Sequence, residues 1–184
     1  MQRGLWKSVA AIACTLVLAL TLQGCGTTGN ALTPYVDALG GFKFLYPVGW
    51  VQVKVASGPT VVFHDLIEET ENVSVVVNPV PDGQTLESLG TPSEVGYKLS
   101  KTAIAPPESG RVAELVNAEA REANGKTYYL LEYEVQLPGQ RRHNLASVAV
   151  SRGKLFTFNV STPERRWAKA GDLLNRVVRS FSVD

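Results

Sequence analysis

The stretch 126–160 constrains the fold more than any other part of the chain. Residues 126–137, KTYYLLEYEVQL, alternate: Tyr129, Leu131, Tyr133 and Val135 fall on one face, Tyr128, Leu130, Glu132 and Glu134 on the other. A period of two sustained over this length is the signature of a β-strand. Asn124-Gly125 precedes the run, and Arg152-Gly153 separates two further strand-like segments, 143–150 and 154–160. Such pairs between alternating runs make two-residue hairpins, because the left-handed turn conformation matches the twist of the flanking strands. The chain is thereby committed to antiparallel pairing. Residues 111–125 are ambiguous, since their Glu and Ala content favours helix. Strand is the better reading, because the Asn124-Gly125 turn needs a first arm.

The remaining elements agree with a sheet carrying helices. GFKFLYPVGW, 41–50, places Phe42, Phe44 and Tyr46 on one face and breaks at Pro47 and Gly49, before a second strand at 50–55. Residues 60–67 and 73–80 read as the next two strands, with Pro79 limiting the latter. In TPSEVGYKLSK, 91–101, Thr91 is an N-cap, Pro92 the first helical residue and Glu94 the partner in a capping box; a loop, 104–110, follows. At the C-terminal end Thr162 is expected to cap a helix that begins with Pro163. Trp167, Ala170, Leu174, Val177, Val178 and Phe181 recur at three and four, giving one apolar stripe. Helices laid on the faces of a mostly antiparallel sheet predict an α+β layered domain.

The N-terminal residues belong to a separate element. Arg3 and Lys7 make a positive start, and 9–22 are apolar but too short to span a bilayer comfortably. Leu22-Gln23-Gly24-Cys25 resembles a bacterial lipobox, predicting a signal peptide over 1–24 and a lipid on Cys25; the alternative is an ordinary cleaved signal with a chance cysteine. Residues 25–34 read as a lipid-anchored flexible tether and 35–184 as the domain. Removal of the signal leaves 160 residues with Cys25 as the only cysteine, so no internal disulfide is available.

The mature chain is near neutral, but its charge is uneven. Residues 25–139 carry 7 Lys/Arg against 14 Asp/Glu, whereas residues 140–184 carry 9 against 3. A basic C-terminal part suggests docking to an acidic surface, with Arg141, Arg142, Arg165, Arg166 and Lys169 as candidates. A solvated helix face is the bland alternative. The export signal and the lack of any nucleic-acid-binding motif argue against a nucleic-acid partner.

Catalytic signatures are missing. No nucleophile elbow, zincin motif, phosphate loop or dinucleotide fingerprint occurs, and the two histidines have no motif-bearing serine beside them, so an enzyme is not expected. Metal binding is the more concrete possibility. If Arg152-Gly153 is a two-residue turn, Ser151 opposes Lys154 and His143 opposes Thr162, bringing His143 near Glu164. An imidazole and a carboxylate can hold Zn²⁺ or Mn²⁺, though two ligands make a weak site. The alternative is a surface histidine beside a carboxylate that complements the helix dipole. His64 and Asp65 are a second candidate pair, but adjacent strand residues point to opposite faces. The acidic run 68–71 could attract Ca²⁺ yet lacks spaced oxygen ligands; a solvated loop is the default. Trp50 and Trp167 read as core or border residues, with an exposed docking aromatic as the sharper alternative. The arginines around His143 and Glu164 oppose tight cation capture and favour a contact surface.

Six ordered pieces, GFKFLYPVGW, ENVSVVVNPV, LGTPSEVG, GKTYYLLEYEV, RHNLASVAVSRGKLFTFNVSTPERRW and VVRSFSVD, resemble the PsbP family of photosystem II extrinsic proteins, and the lipobox resembles its cyanobacterial lipoprotein form. The likeness covers about 35–184. It implies an α/β/α sandwich with a central antiparallel sheet. It also implies residence in the thylakoid lumen, as a monomer tethered to the membrane through Cys25. The implied role is non-enzymatic: association with photosystem II, supporting its assembly or the water-oxidising complex. A link to divalent metals, Zn, Mn or Ca weakly bound, is implied too, with His143 and Glu164 at the matching positions. The long N-terminal extension of plant members is lacking, which favours assembly over ion retention.

Overall fold

The computed structural model describes residues 31–184. The expected signal peptide, Cys25 and most of the expected tether lie outside the described residues. The centre of the domain is a seven-stranded antiparallel sheet in the order β3-β4-β5-β9-β8-β7-β6. Its strands are β3 (Trp50–Val53), β4 (Val61–Asp65), β5 (Asn72–Pro79), β6 (Val112–Ala123), β7 (Lys126–Leu137), β8 (Gln140–Ser151) and β9 (Lys154–Pro163). The four long strands β6 to β9 follow one another through two-residue turns. Asn124 and Arg152 both take positive φ, 53° and 50°, each followed by a left-handed glycine. That conformation fits a hairpin turn but strains a side chain such as Arg152. The ambiguous segment is indeed a strand, β6, with a bulge between Leu115 and Asn117 that interrupts this edge.

A smaller sheet covers one face. It comprises β1 (Leu32–Asp37), β2 (Phe42–Pro47) and β10 (Ser182–Val183), in the order β1-β2-β10. Beside it lies the C-terminal helix, α2 (Glu164–Arg179). Phe42, Phe44, Phe63, Phe156, Phe158 and Phe181 interlock there, all nearly inaccessible. Phe158 stacks on Phe181 at 5.1 Å and meets Phe44 at 4.6 Å. Aromatic packing of this kind adds to the area each ring buries. The segment 41–50 therefore crosses between layers: Pro47 and Gly49 end a strand of the small sheet, and Trp50 starts the edge strand of the large one.

The opposite face carries the first helix, α1 (Pro92–Leu99), continued by a π-helical turn at Ser100–Ile104. The capping box forms as expected: Thr91 accepts from the Glu94 amide and the Glu94 carboxylate accepts from the Thr91 amide. A cap of this kind contributes about 1 kcal/mol. The expected loop, 104–110, starts at the last residue of that π turn and contains a 3₁₀ turn, Pro107–Ser109. Gly96 lets α1 approach closely, since a Cβ there would sit 2.8 Å from Leu115. Tyr133 donates its hydroxyl to the Gly96 carbonyl at 3.0 Å, and burial pushes this phenol's pKa up. Layers of helix, sheet and helix-plus-small-sheet give the α/β/α arrangement.

Two boundaries differ from the sequence reading. Strand β1 includes the last residues of the expected tether, because Leu32 to Pro34 pair with Leu45 to Pro47. Thr162 is not the cap of α2. It lies within β9, one residue before the strand's end, its hydroxyl donates to Glu71 at 2.5 Å, and Pro163 occupies the cap position without a side-chain bond.

Candidate functional site

The β8–β9 hairpin runs in unbroken register from Ser151↔Lys154 to Arg142↔Pro163, so His143 opposes Thr162. The next turn of chain is the start of α2, and Glu164 is its first residue. His143 Nδ1 lies 3.2 Å from Glu164 Oε2, as the turn arithmetic requires. On the ring's other edge, Nε2 lies 2.7 Å from Glu132 Oε1. The imidazole stacks on Trp167 of α2, centroids 3.7 Å apart and planes 9° apart. His143 is only 5% exposed, so it is a buried tie between strand and helix rather than a surface residue.

This geometry limits what a metal could find. Carboxylates only accept hydrogen bonds, so each contact asks the ring for an N–H. The two carboxylates sit on opposite edges, and one ion could meet one ring nitrogen with one carboxylate. Among the described residues no group of three His, Cys, Asp or Glu side chains could hold a metal ion. The donor set does not fit a closed Zn²⁺ centre, which takes four ligands. His64 and Asp65 are not brought together as ligands either. His64 Nδ1 meets the Asp65 carbonyl at 2.8 Å, while Asp65 Oδ1 accepts from the amides of Ile67 and Glu68 as a turn cap.

The acidic run 68–71 is not a solvated loop throughout. Glu71 is 3% exposed and accepts from Thr162 and from both Nε and a terminal nitrogen of Arg166, at 3.2 and 2.9 Å. Those hydrogen bonds hold the Arg166 pKa up. Glu68 pairs with Arg165. Its carboxyl pKa is held down first by the Thr70 hydroxyl and then by the nearby arginines.

The expected basic patch is mostly paired within the molecule. Arg141 meets Glu134 at 2.6 Å, Arg165 meets Glu68, Arg166 meets Glu71, and Arg179 reaches across to Glu119 at 2.5 Å. The basic C-terminal part thus answers the acidic preceding part inside one domain, and the uneven charge of the sequence largely cancels on its surface. Lys169 is exposed on α2. Arg142 is the exception, bonded only to neutral oxygens: Ser161 Oγ at 2.9 Å and the Thr70 carbonyl.

Glu132 and Glu71 were missed as partners, though one signal could have found the first. Pro138-Gly139 is also a two-residue turn, with Gly139 at φ 76°, and it sets Leu137 opposite Gln140. Counting back puts Glu134 opposite His143 and Glu132 on the adjacent diagonal, a cross-strand neighbour. Nothing local in the sequence links Glu71 to Arg166.

Comparison with known proteins decides the family. The PsbP family model matches residues 30–183. The chain belongs to the PsbP family. It is 53% identical over 172 residues to CyanoP of Thermosynechococcus vestitus, covering 91% of this chain and 93% of that protein. It is 46% identical over 181 residues to CyanoP of Synechocystis sp., covering 96% of each. The solution structure of the Synechocystis protein superposes with a TM-score of 0.73 over 89% of this chain and 99% of that one. The family is one of photosystem-associated proteins, in keeping with the resemblance read from the sequence.

Proposed function

We propose that this chain is an exported, lipid-anchored protein of the thylakoid lumen that associates with photosystem II and supports its assembly. The observation that carries the reading is identity of 53% and 46% to two CyanoP proteins across more than nine-tenths of the chain. The lipobox supports the anchor: a diacylglyceryl group and an acyl chain on Cys25 give two or more hydrophobic chains, enough for stable membrane attachment. Affinity purification of the tagged protein from thylakoid membranes should recover photosystem II subunits. Repeated recovery without them would overturn the association. Cys25→Ala should release the protein into the soluble lumenal fraction; retention on the membrane would remove the lipid anchor.

The alternative is a lumenal carrier of Zn²⁺, Mn²⁺ or Ca²⁺. One observation favours it, the 3.2 Å approach of His143 to Glu164. We assign His143 to structure instead, because both ring nitrogens already face carboxylates and the ring is stacked. Calorimetric titration with Zn²⁺ and Mn²⁺ separates the readings. Loss of a binding event in His143→Ala restores the carrier, and an unchanged isotherm supports the structural role.

A further inference from the structure

The face of the central sheet under α1 is only partly covered. Where α1 stops, a trough of about 890 Å³ remains, open along one side. Its floor is built from four cross-strand pairs of β5 and β9: Asn72↔Ser161, Ser74↔Asn159, Val76↔Thr157 and Asn78↔Leu155. From Asn72 to Asn78 the floor runs about 20 Å at the strand rise. That is the length of an extended segment of about six residues. The reverse sides of these strands are apolar: Val73 and Val75 are wholly buried in the aromatic core. The polar floor is thus a feature of one face alone.

The trough's chemistry is one-sided in charge. Its lining holds Lys98, Arg111 and Arg142 and no Asp or Glu. Arg142 is half-buried at one end, where burial is the main influence lowering its pKa; Glu68 and Glu71 act on it from a distance, but its hydrogen bonds go to neutral oxygens and it makes no ion pair among the described residues. This contrasts with Arg141, Arg165 and Arg166 nearby, each of which has one. One wall is apolar, formed by Val95, Leu99 and Ile104. The floor's amides and hydroxyls continue inward as a hydrogen-bonded chain: Arg142 to Ser161, Ser161 to Asn144 and Asn144 to Asn159.

We infer that this trough is a docking site for an extended acidic segment of a partner protein. A lysine and two arginines, none in an ion pair among the described residues, complement its carboxylates, and side chains alternating along an extended backbone could reach the wall. Floor amides and hydroxyls can satisfy backbone N–H and C=O groups. A lipid tail fits worse, because it would desolvate those floor groups without replacing their hydrogen bonds. The inference deepens the proposed association by naming the surface that receives a partner. A chain that binds acidic peptide but is recovered without photosystem II breaks only the association. A chain recovered with photosystem II that binds no such peptide breaks only the site.

The test uses the full chain in neutral detergent and a fluorescein-labelled peptide of sequence DLEVDLE, with NLQVNLQ as its uncharged counterpart. Anisotropy should show saturable binding of the acidic peptide, at least tenfold weaker binding of the uncharged one, and a tenfold or greater loss with Arg142→Gln. Lys98→Gln with Arg111→Gln, both at exposed rim positions, gives the same loss without touching the buried network. Arg165→Gln, outside the trough, leaves affinity unchanged. A photo-crosslinking version of the peptide should label β5, β9 or α1. No saturation at about 1 mM, the weak end of specific affinity, overturns the site. So do equal binding of the two peptides, crosslinks elsewhere, or loss of the peptide to competing anionic phospholipid vesicles that bind through Arg142.

Discussion

The two faces of the central sheet are finished to different degrees. On the α2 face, rings from both sheets and the helix close an apolar core, and polar residues at its rim are bonded to one another. His143 lies between two carboxylates, and Glu71 between a threonine and an arginine. On the α1 face, α1 and the π turn pack on β6 and β7. Beside them β5, β8 and β9 present amides, hydroxyls and an arginine that makes no ion pair among the described residues. The contrast teaches where binding capacity resides. The cluster of His143 and its arginines draws attention in the sequence, yet its groups are engaged with each other. The residues with capacity to spare are plain Asn, Ser and Thr on alternate positions of β5 and β9.

Substitutions that break this comparison can be ranked. Phe158→Ala, in the closed face, should lower unfolding free energy by about 3–5 kcal/mol in urea titration, since the ring is fully buried among others. Gly96→Val should cost about 1–3 kcal/mol, because its side chain would overlap Leu115 and lift α1 from the sheet. Glu71→Ala should cost about 1–3 kcal/mol, by stripping Thr162 and Arg166 of their acceptor. Tyr133→Phe should cost about 1 kcal/mol through loss of one buried hydrogen bond. It should also alter the pH profile. Burial raises the folded-state pKa of this phenol, so its contribution is fully present below the ordinary tyrosine value near 10 and is lost as pH climbs above it. Alkaline denaturation of Tyr133→Phe should therefore show a shallower decline than that of the parent. Lys169→Ala, at an exposed position of α2, should stay within about 0.5 kcal/mol. A stability loss for Asn159→Ala as large as that for Phe158→Ala would mean that the open face is structural after all.

Much of the sheet was legible because its rules are local. Alternation in 126–137 and left-handed turns at Asn124-Gly125 and Arg152-Gly153 determine strand identity, face and register, and the approach of His143 to Glu164 follows by counting. The capping box at Thr91 is likewise local. What escaped depends on long-range pairing. Thr162-Pro163 has the form of a helix start, but Pro163 pairs with Arg142, so β9 runs to Pro163. Arg165 and Arg166 looked like part of a free patch because their partners Glu68 and Glu71 lie far away in sequence. The trough had no signal at all, being the space left where a short helix ends over a broad sheet.

The order of the strands has a kinetic consequence. β6 to β9 pair with their sequence neighbours, so each hairpin closes over a short loop. The contact of β5 with β9 joins Pro79 to Lys154 across the entire intervening meander. Closing that span costs more chain entropy and rewards it later, which places it late in assembly of the domain. The trough floor straddles this junction. A segment lying along it would clamp together the two strands that meet last, and should slow their separation more than it speeds their meeting. Occupancy of the trough would then be readable as a longer lifetime of the folded chain, even where the equilibrium gain is small.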